Sequence, residues 1–177
     1  MEKLSNKQIE QFIEFGFVKI KNAFSQEIAD NCRTILWKAI QVSPDDPETW
    51  TQPVIRIGEI GLEPFKQAAN TTILHKAFNQ LAFDNWVPRM SLGTFPIRFP
   101  GKEEAGDTGW HVDASFPGED SNNYLEWRIN IHSRGRALLM LFLFSNTTEK
   151  DAPTRIKAGS HLDVAKLLQH EGEAGLS

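Results

Sequence analysis

Two triplets of the form His-x-Asp could do metal chemistry in this chain, His111-Val-Asp113 and His161-Leu-Asp163. Five His and nine Asp in 177 residues make about 0.25 such triplets expected by chance, so the spacing alone is weak evidence and context must separate the two. His111 follows Gly109-Trp110 in a stretch that reads as a strand, where side chains i and i+2 share a face. One imidazole and one carboxylate then converge on a single point. That is two-thirds of the 2-His-1-carboxylate set that holds non-haem Fe(II) with positions open for substrate and oxygen. The competing reading is a strand-end histidine hydrogen-bonded to a turn aspartate. The second triplet opens a helix, where positions i and i+2 point about 200° apart and cannot share a metal. Asp163 is therefore expected as an N-cap or first-turn acid, and His161 as a structural histidine at a strand-to-helix corner.

The remaining reactive side chains suggest less. His132 stands at a strand end beside Arg134 and Arg136 and is expected at the surface. His75 and His170 fall on helices without a partner at metal spacing. Cys32 lies on the apolar stripe of a helix and reads as an inert core thiol. Neither a Gly-x-Ser-x-Gly elbow nor a Walker A loop is present, which removes the commonest hydrolase and nucleotidase signals. Arginines 98, 128, 134, 136 and 155 are spread through the second half. Arg98 in Phe-Pro-Ile-Arg-Phe-Pro and Arg155 in Ala-Pro-Thr-Arg-Ile, hedged by apolar neighbours, are the candidates for clamping a carboxylate bidentately.

The elements that must position these groups change character along the chain. Ser5 and Gln8 form a capping box before the stripe Ile9, Phe12 and Ile13, so 6–14 should be helical, with Gly16 as the C-cap. Phe17–Lys21 alternates apolar and polar like a half-buried strand. Ser25 caps a second helix whose face is Ile28, Ala29, Cys32, Ile35, Leu36, Ala39 and Ile40, and the prolines of Ser43–Pro47 end it. Residues 48–70 are ambiguous apart from a short strand at Val54–Ile57. A third helix is expected over 72–83. From Pro88 the pattern turns to strands at Ser91–Phe99, Gly109–Ala114, Trp127–His132, Ala137–Phe144 and Thr154–Ile156, separated by Pro-Gly and Ser-Arg-Gly turns. Leu138–Phe144 is apolar on both faces and should be covered on both sides. A short helix at 163–169 precedes a soft tail, Glu171–Ser177. The expected fold is α+β with a mainly β core in one domain: a helix-rich part over 1–88 and a sheet part over 89–177.

Composition agrees with one soluble, cytoplasmic domain. Length 177 suits a single core that needs no disulfide, and one cysteine excludes a disulfide framework. Lys+Arg 19 against Asp+Glu 23, net −4, provides no electrostatic footprint for nucleic acid or an anionic membrane. The polar N-terminus is no signal peptide. The longest apolar run, Ala137–Phe144, is far short of the roughly 20 residues that span a bilayer.

Gly109-Trp-His-Val-Asp113, followed by Ala152-Pro-Thr-Arg-Ile-Lys-Ala-Gly-Ser-His161, resembles the phytanoyl-CoA dioxygenase family, as does the opening Phe12-Ile-Glu-Phe-Gly-Phe-Val-Lys-Ile-Lys-Asn-Ala-Phe-Ser25. The family patterns are Trp-His-Gln-Asp and Gly-x-x-x-Val-x-Pro-Gly-Ser-His, from which Val112, Ala152 and Ala158 depart. The resemblance implies a double-stranded β-helix (jelly-roll, cupin-like) oxygenase with N-terminal helices, using Fe(II), 2-oxoglutarate and O2 to hydroxylate a small organic substrate. His111 and Asp113 match its first two iron ligands, and His161 its structural Gly-Ser-His element. On this reading Arg98, Arg155 and Trp110 are candidate cofactor-binding residues, and Phe116, Phe142 and Phe144 candidate walls of the substrate pocket.

The family's second iron-binding histidine and the arginine that grips 2-oxoglutarate lie beyond Gly-Ser-His, and only 16 residues follow His161 here. The 177 residues are accordingly expected to be the front part of a jelly roll, incomplete at the C-terminus, from a protein about 70–100 residues longer. The alternatives are an inactive remnant, a non-catalytic jelly-roll ligand-binding protein, and a Zn- or Mn-dependent cupin-like enzyme that would draw on His132.

Overall fold

The computed structural model describes residues 3–101 and 103–177. Helix α1 (Asn6–Phe15) starts at the capping box, with the Ser5 side chain accepting from the Gln8 N–H and the Gln8 side chain reaching back to Ser5. It stops at Gly16, whose φ of 80° is the left-handed conformation glycine adopts without steric cost. Helix α2 (Gln26–Ile40) is capped by Ser25 with Glu27 in its first turn. Its inner face carries Ala29, Cys32 and Ile40, all buried.

Helix α3 (Glu63–Ala69) has Pro64 in its first turn, where a missing N–H costs nothing. Helix α4 (Thr72–Ala82) is capped by Thr71, whose hydroxyl also donates to the Ala23 carbonyl at 2.6 Å. Strands β1 (Val54–Ile57) and β2 (Phe95–Arg98) pair antiparallel in the register Val54↔Arg98, Ile55↔Ile97, Arg56↔Pro96 and Ile57↔Phe95. A bridge between Ile60 and Leu92 extends this hairpin-like pair. Helix α5 (Ser160–Leu168) closes the order of regular elements.

The core lies between α2, α3 and one extended segment. Ala29 and Cys32 from α2 meet Phe65 and Ala68 from α3, with Phe144 closing the cluster. The ring of Phe65 stands edge-on to Phe95 and Phe144, at 5.4 and 5.8 Å between centroids. Phe24 and Phe142 extend the aromatic layer. A second aromatic group, Trp37, Trp50 and Phe99, packs the end of α2 on the sheet. No described helix is long and apolar enough to cross a membrane.

The fold is α+β, but helices dominate its core where a mainly β core was expected. Among the described residues the only ladder of named strands is β1–β2. Phe17–Lys21, Gly109–Ala114, Trp127–His132, Ala137–Phe144 and Thr154–Ile156 form no strand, and Ser91–Phe99 shortens to Phe95–Arg98; residues 116 and 128, and 129 and 176, make single bridges. Alternation reports which side chains turn inward, whereas a strand also needs a neighbouring backbone to pair with. Ala137–Phe144 shows the distinction clearly. Its even-numbered side chains turn inward to the buried Phe144, while Leu139, Leu141 and Leu143 are each more than half exposed, so the segment is covered on one side and not on both.

Three boundaries also differ. Residues 63–69, left ambiguous by the sequence, are α3. Helix α5 begins at Ser160, not at 163, because Gly159 at φ 80° turns the chain into it and Ser160 and His161 occupy its first turn. The tail expected to be soft is strapped down: Arg128 donates to the carbonyls of Ala174 and Gly175 at 2.6 and 2.7 Å, and Leu176 bridges Ile129.

Candidate functional site

The segment carrying His111 and Asp113 is irregular, yet the two side chains converge. His111 Nε2 stands 3.6 Å from Asp113 Oδ1, with the side chains 73% and 52% exposed. The segment is anchored just downstream by buried Phe116, where the Ser115 and Phe116 N–H groups donate to the Arg128 carbonyl at 2.8 and 3.1 Å. A second anchor is Arg136. Its Nη1 donates to the Asp113 carbonyl at 2.9 Å and its Nη2 to the Ala114 carbonyl, so one planar fork spans two consecutive peptide units. The turn that presents this fork closes through the Arg136 N–H to the Ser133 carbonyl at 2.9 Å. It approaches so closely that a Cβ on Gly135 would lie 2.8 Å from the Ser115 carbonyl oxygen.

The donor pair suits two adjacent positions on a divalent cation. At ligand distances of about 2.1 Å, two ligands at right angles stand about 3.0 Å apart, so a small rotamer adjustment brings the 3.6 Å pair into range. Both side chains are reachable from solvent, and an imidazole with a carboxylate is a borderline-hard donor set of the kind Fe(II) accepts. Among the described residues no group of three His, Cys, Asp or Glu side chains comes together in metal-binding geometry.

Of the candidate cofactor-binding residues, Trp110 and Arg155 are together: the Arg155 guanidinium carbon lies 5.5 Å from the Trp110 ring centroid, beside His111 in the chain. Arg98 is elsewhere engaged. Its Nη2 and that of Arg56 each meet Asp107 Oδ2 at 2.7 Å. The hydrogen bond from Arg98, then that from Arg56, hold the Asp107 carboxyl below its ordinary value. Phe142 and Phe144 lie in the α2–α3 core, and Phe116 is buried under the Arg134 guanidinium at 5.3 Å. Open depressions of about 210 and 250 Å³ lie beside Arg128–Ser177 and Trp50–Gly101, and neither is lined by His111 or Asp113.

His161 and His75 serve structure. His161 Nε2 binds the Ile13 carbonyl at 3.0 Å. His75 pairs with Asn70 Oδ1 at 3.1 Å and packs on Trp86. His132 is exposed and stands 3.4 Å from Glu173, away from any donor set. Cys32 is fully buried, and burial pushes its thiol up to about 11.

Two participants escaped the sequence reading. In the sequence Arg136 is only one of five arginines spread through the second half, and the hint of its task is the Ser-Arg-Gly turn before it. Arg56 sits at an exposed position of β1, and only the register with β2 places it beside Arg98. Comparison with known proteins returned no matching family model, no matching curated protein and no matching solved structure.

Proposed function

We propose that this chain carries the first part of the iron-binding set of a jelly-roll oxygenase, dependent on Fe(II) and 2-oxoglutarate, that hydroxylates a small organic substrate. The observation that supports this reading is the convergence of His111 Nε2 and Asp113 Oδ1 at 3.6 Å on a solvent-accessible segment pinned from behind by Arg136. His111 and Asp113 would hold the metal through these two atoms. When bound, iron would couple decarboxylation of 2-oxoglutarate to insertion of one oxygen atom from O2 into a C–H bond, giving succinate, CO2 and an alcohol.

The chain's own contribution is placement. The Arg136 fork fixes the backbone on which the Asp113 side chain is mounted, and Phe116 buries the far end of that segment. The Trp110 ring, 5.5 Å from the Arg155 guanidinium carbon and exposed, precedes His111 in the chain. A second reading, a non-catalytic ligand-binding domain, draws on the same contact, because 3.6 Å also suits an ordinary exposed His–Asp pair.

The test is succinate formation from 2-oxoglutarate by protein from its complete natural reading frame, with Fe(II) and ascorbate, beside His111→Ala and Asp113→Ala. Iron-dependent turnover lost in both variants supports the oxygenase. Equal succinate from all three, or none from any, refutes it and leaves the ligand-binding reading.

A further inference from the structure

We infer that Arg56 and Arg98 form a binding site for the carboxylate of a small organic acid, which Asp107 occupies as an internal stand-in until the acid displaces it. The site is built by the sheet. In the β1–β2 register Arg98 lies opposite Val54 and Arg56 opposite Pro96, so the arginines project two residues apart on one face. Both guanidinium groups direct Nη2 to the same oxygen, Asp107 Oδ2, at 2.7 Å each. The pair therefore already demonstrates its ligand chemistry with a carboxylate from its own chain.

That internal pairing is incomplete. Two positive charges face one negative charge, and both bonds land on one oxygen, whereas guanidinium and carboxylate prefer two parallel bonds per fork. A free carboxylate can enter between the forks and use both its oxygens, a pose that Asp107 does not adopt on its backbone tether.

The tether is also built to let go. Asp107 lies between Gly101, Gly106 and Gly109, the last two at φ of 71° and 136°. A Cβ added at any of these three glycines would meet nothing within 4 Å. Asp107 and a 3.3 Å bond from Arg56 to the Ala105 carbonyl hold it to the sheet. With side-chain exposures of 51% for Arg56, 32% for Arg98 and 29% for Asp107, the pairing stays in contact with solvent, where an ion pair is a weak tether. Four residues after Asp107 comes His111, so displacement frees the stretch that leads directly into the Trp110–Asp113 segment.

The experiment follows the carboxyl carbon signal of Asp107 and the Nε–H signals of Arg56 and Arg98 by NMR. Succinate is titrated in the presence of EDTA, with sodium chloride at equal ionic strength as the control. In the wild-type protein, succinate should move the Asp107 signal and sodium chloride should not. Asp107→Asn should bind succinate at least tenfold more tightly, and adding Arg56→Gln or Arg98→Gln to that variant should abolish binding. Equal affinity of wild type and Asp107→Asn, survival of binding without either arginine, or an equal response to chloride would overturn the site. The wild-type titration stands if a variant fails to fold. No metal is involved, so the outcome is separate from that of the oxygenase assay.

Discussion

His161 stands directly over the Cα of Gly16: a Cβ built there would lie 2.5 Å from His161 Nδ1 and 2.8 Å from Cγ. The same imidazole meets the Ile13 carbonyl through Nε2 at 3.0 Å, and the Gly159 N–H donates to the Phe15 carbonyl at 2.9 Å. Carbonyls only accept, so Nε2 carries the proton, and Nδ1 is buried without a partner among the described residues. The start of α5 thus satisfies carbonyls that the end of α1 leaves open, across more than 140 residues of sequence. Gly16 makes this possible twice, by its left-handed φ and by its missing side chain.

Gly16→Ala should therefore destabilise the fold by at least about 2 kcal/mol, about 1–2 from the left-handed backbone and the rest from displacing the ring. Urea unfolding at 25 °C measures it. In a His161→Ala background the same substitution should cost only the backbone part. An equal cost in both backgrounds would show that the ring does not feel position 16.

Cys32 should behave as a sealed core thiol. With burial pushing it up to about 11, the native thiol stays neutral at pH 8, and a disulfide reagent should react only after urea is added. Its raised value contributes stability that is intact below about pH 9 and is lost as pH rises towards 11. Cys32→Ser, which buries a hydroxyl without a partner, should cost about 1–3 kcal/mol. Rapid labelling of the native protein would contradict the packing of α2 on α3.

Asp107 should make the fold sensitive to acid. Its carboxyl is held low by Arg98 and Arg56, so its contribution is present above the ordinary carboxylate pKa and is lost as pH falls through the depressed folded value. The melting temperatures of wild type and Asp107→Asn should thus differ at pH 6, and the difference should shrink as pH falls below the ordinary carboxylate pKa of about 3.9. An offset that persists unchanged well below the ordinary carboxylate pKa would exclude the two-arginine pairing as its cause.

Arg136 should act on metal binding rather than on folding alone. Removing its fork frees the exposed carbonyl of Asp113 and the part-buried carbonyl of Ala114, so Arg136→Ala should cost about 1–3 kcal/mol in stability. Co(II) titration followed through tryptophan fluorescence, with Trp110→Phe assigning the part that Trp110 contributes among the five tryptophans, should show binding weakened by tenfold or more, with Arg136→Lys intermediate because it cannot span two carbonyls. Unchanged Co(II) affinity in Arg136→Ala would remove its positioning role.

The aromatic core carries the largest single-residue effect. Phe65 is fully buried with Phe95 and Phe144 on its edges, and Phe65→Ala should cost about 3–5 kcal/mol by urea unfolding. A cost under 1 kcal/mol would mean that the cluster collapses to fill the space.

Local chemistry was legible in the residues themselves. Ser5 with Gln8, Ser25, and the stripe through Ala29 and Cys32 are short-range features, so α1, α2 and most of α4 follow from sequence, as does β1 at Val54–Ile57. The expectation that His111 and Asp113 share one side rests on a strand that their segment does not form, so their 3.6 Å approach belongs to the irregular backbone there and not to the i, i+2 spacing. What sequence could not supply was any relationship that depends on which backbones become neighbours. Ala137–Phe144 is apolar throughout, so its sequence does not tell inward from outward side chains; one side of it lies open because no partner strand forms, and among the described residues the ladder joins only β1 and β2. Likewise the Asp107 bridge between Arg56 and Arg98, the Arg136 fork on Asp113 and Ala114, and the His161 ring over Gly16 join positions 9 to 145 residues apart. Such contacts are set by packing and register, which a linear pattern of residue types does not encode one pair at a time.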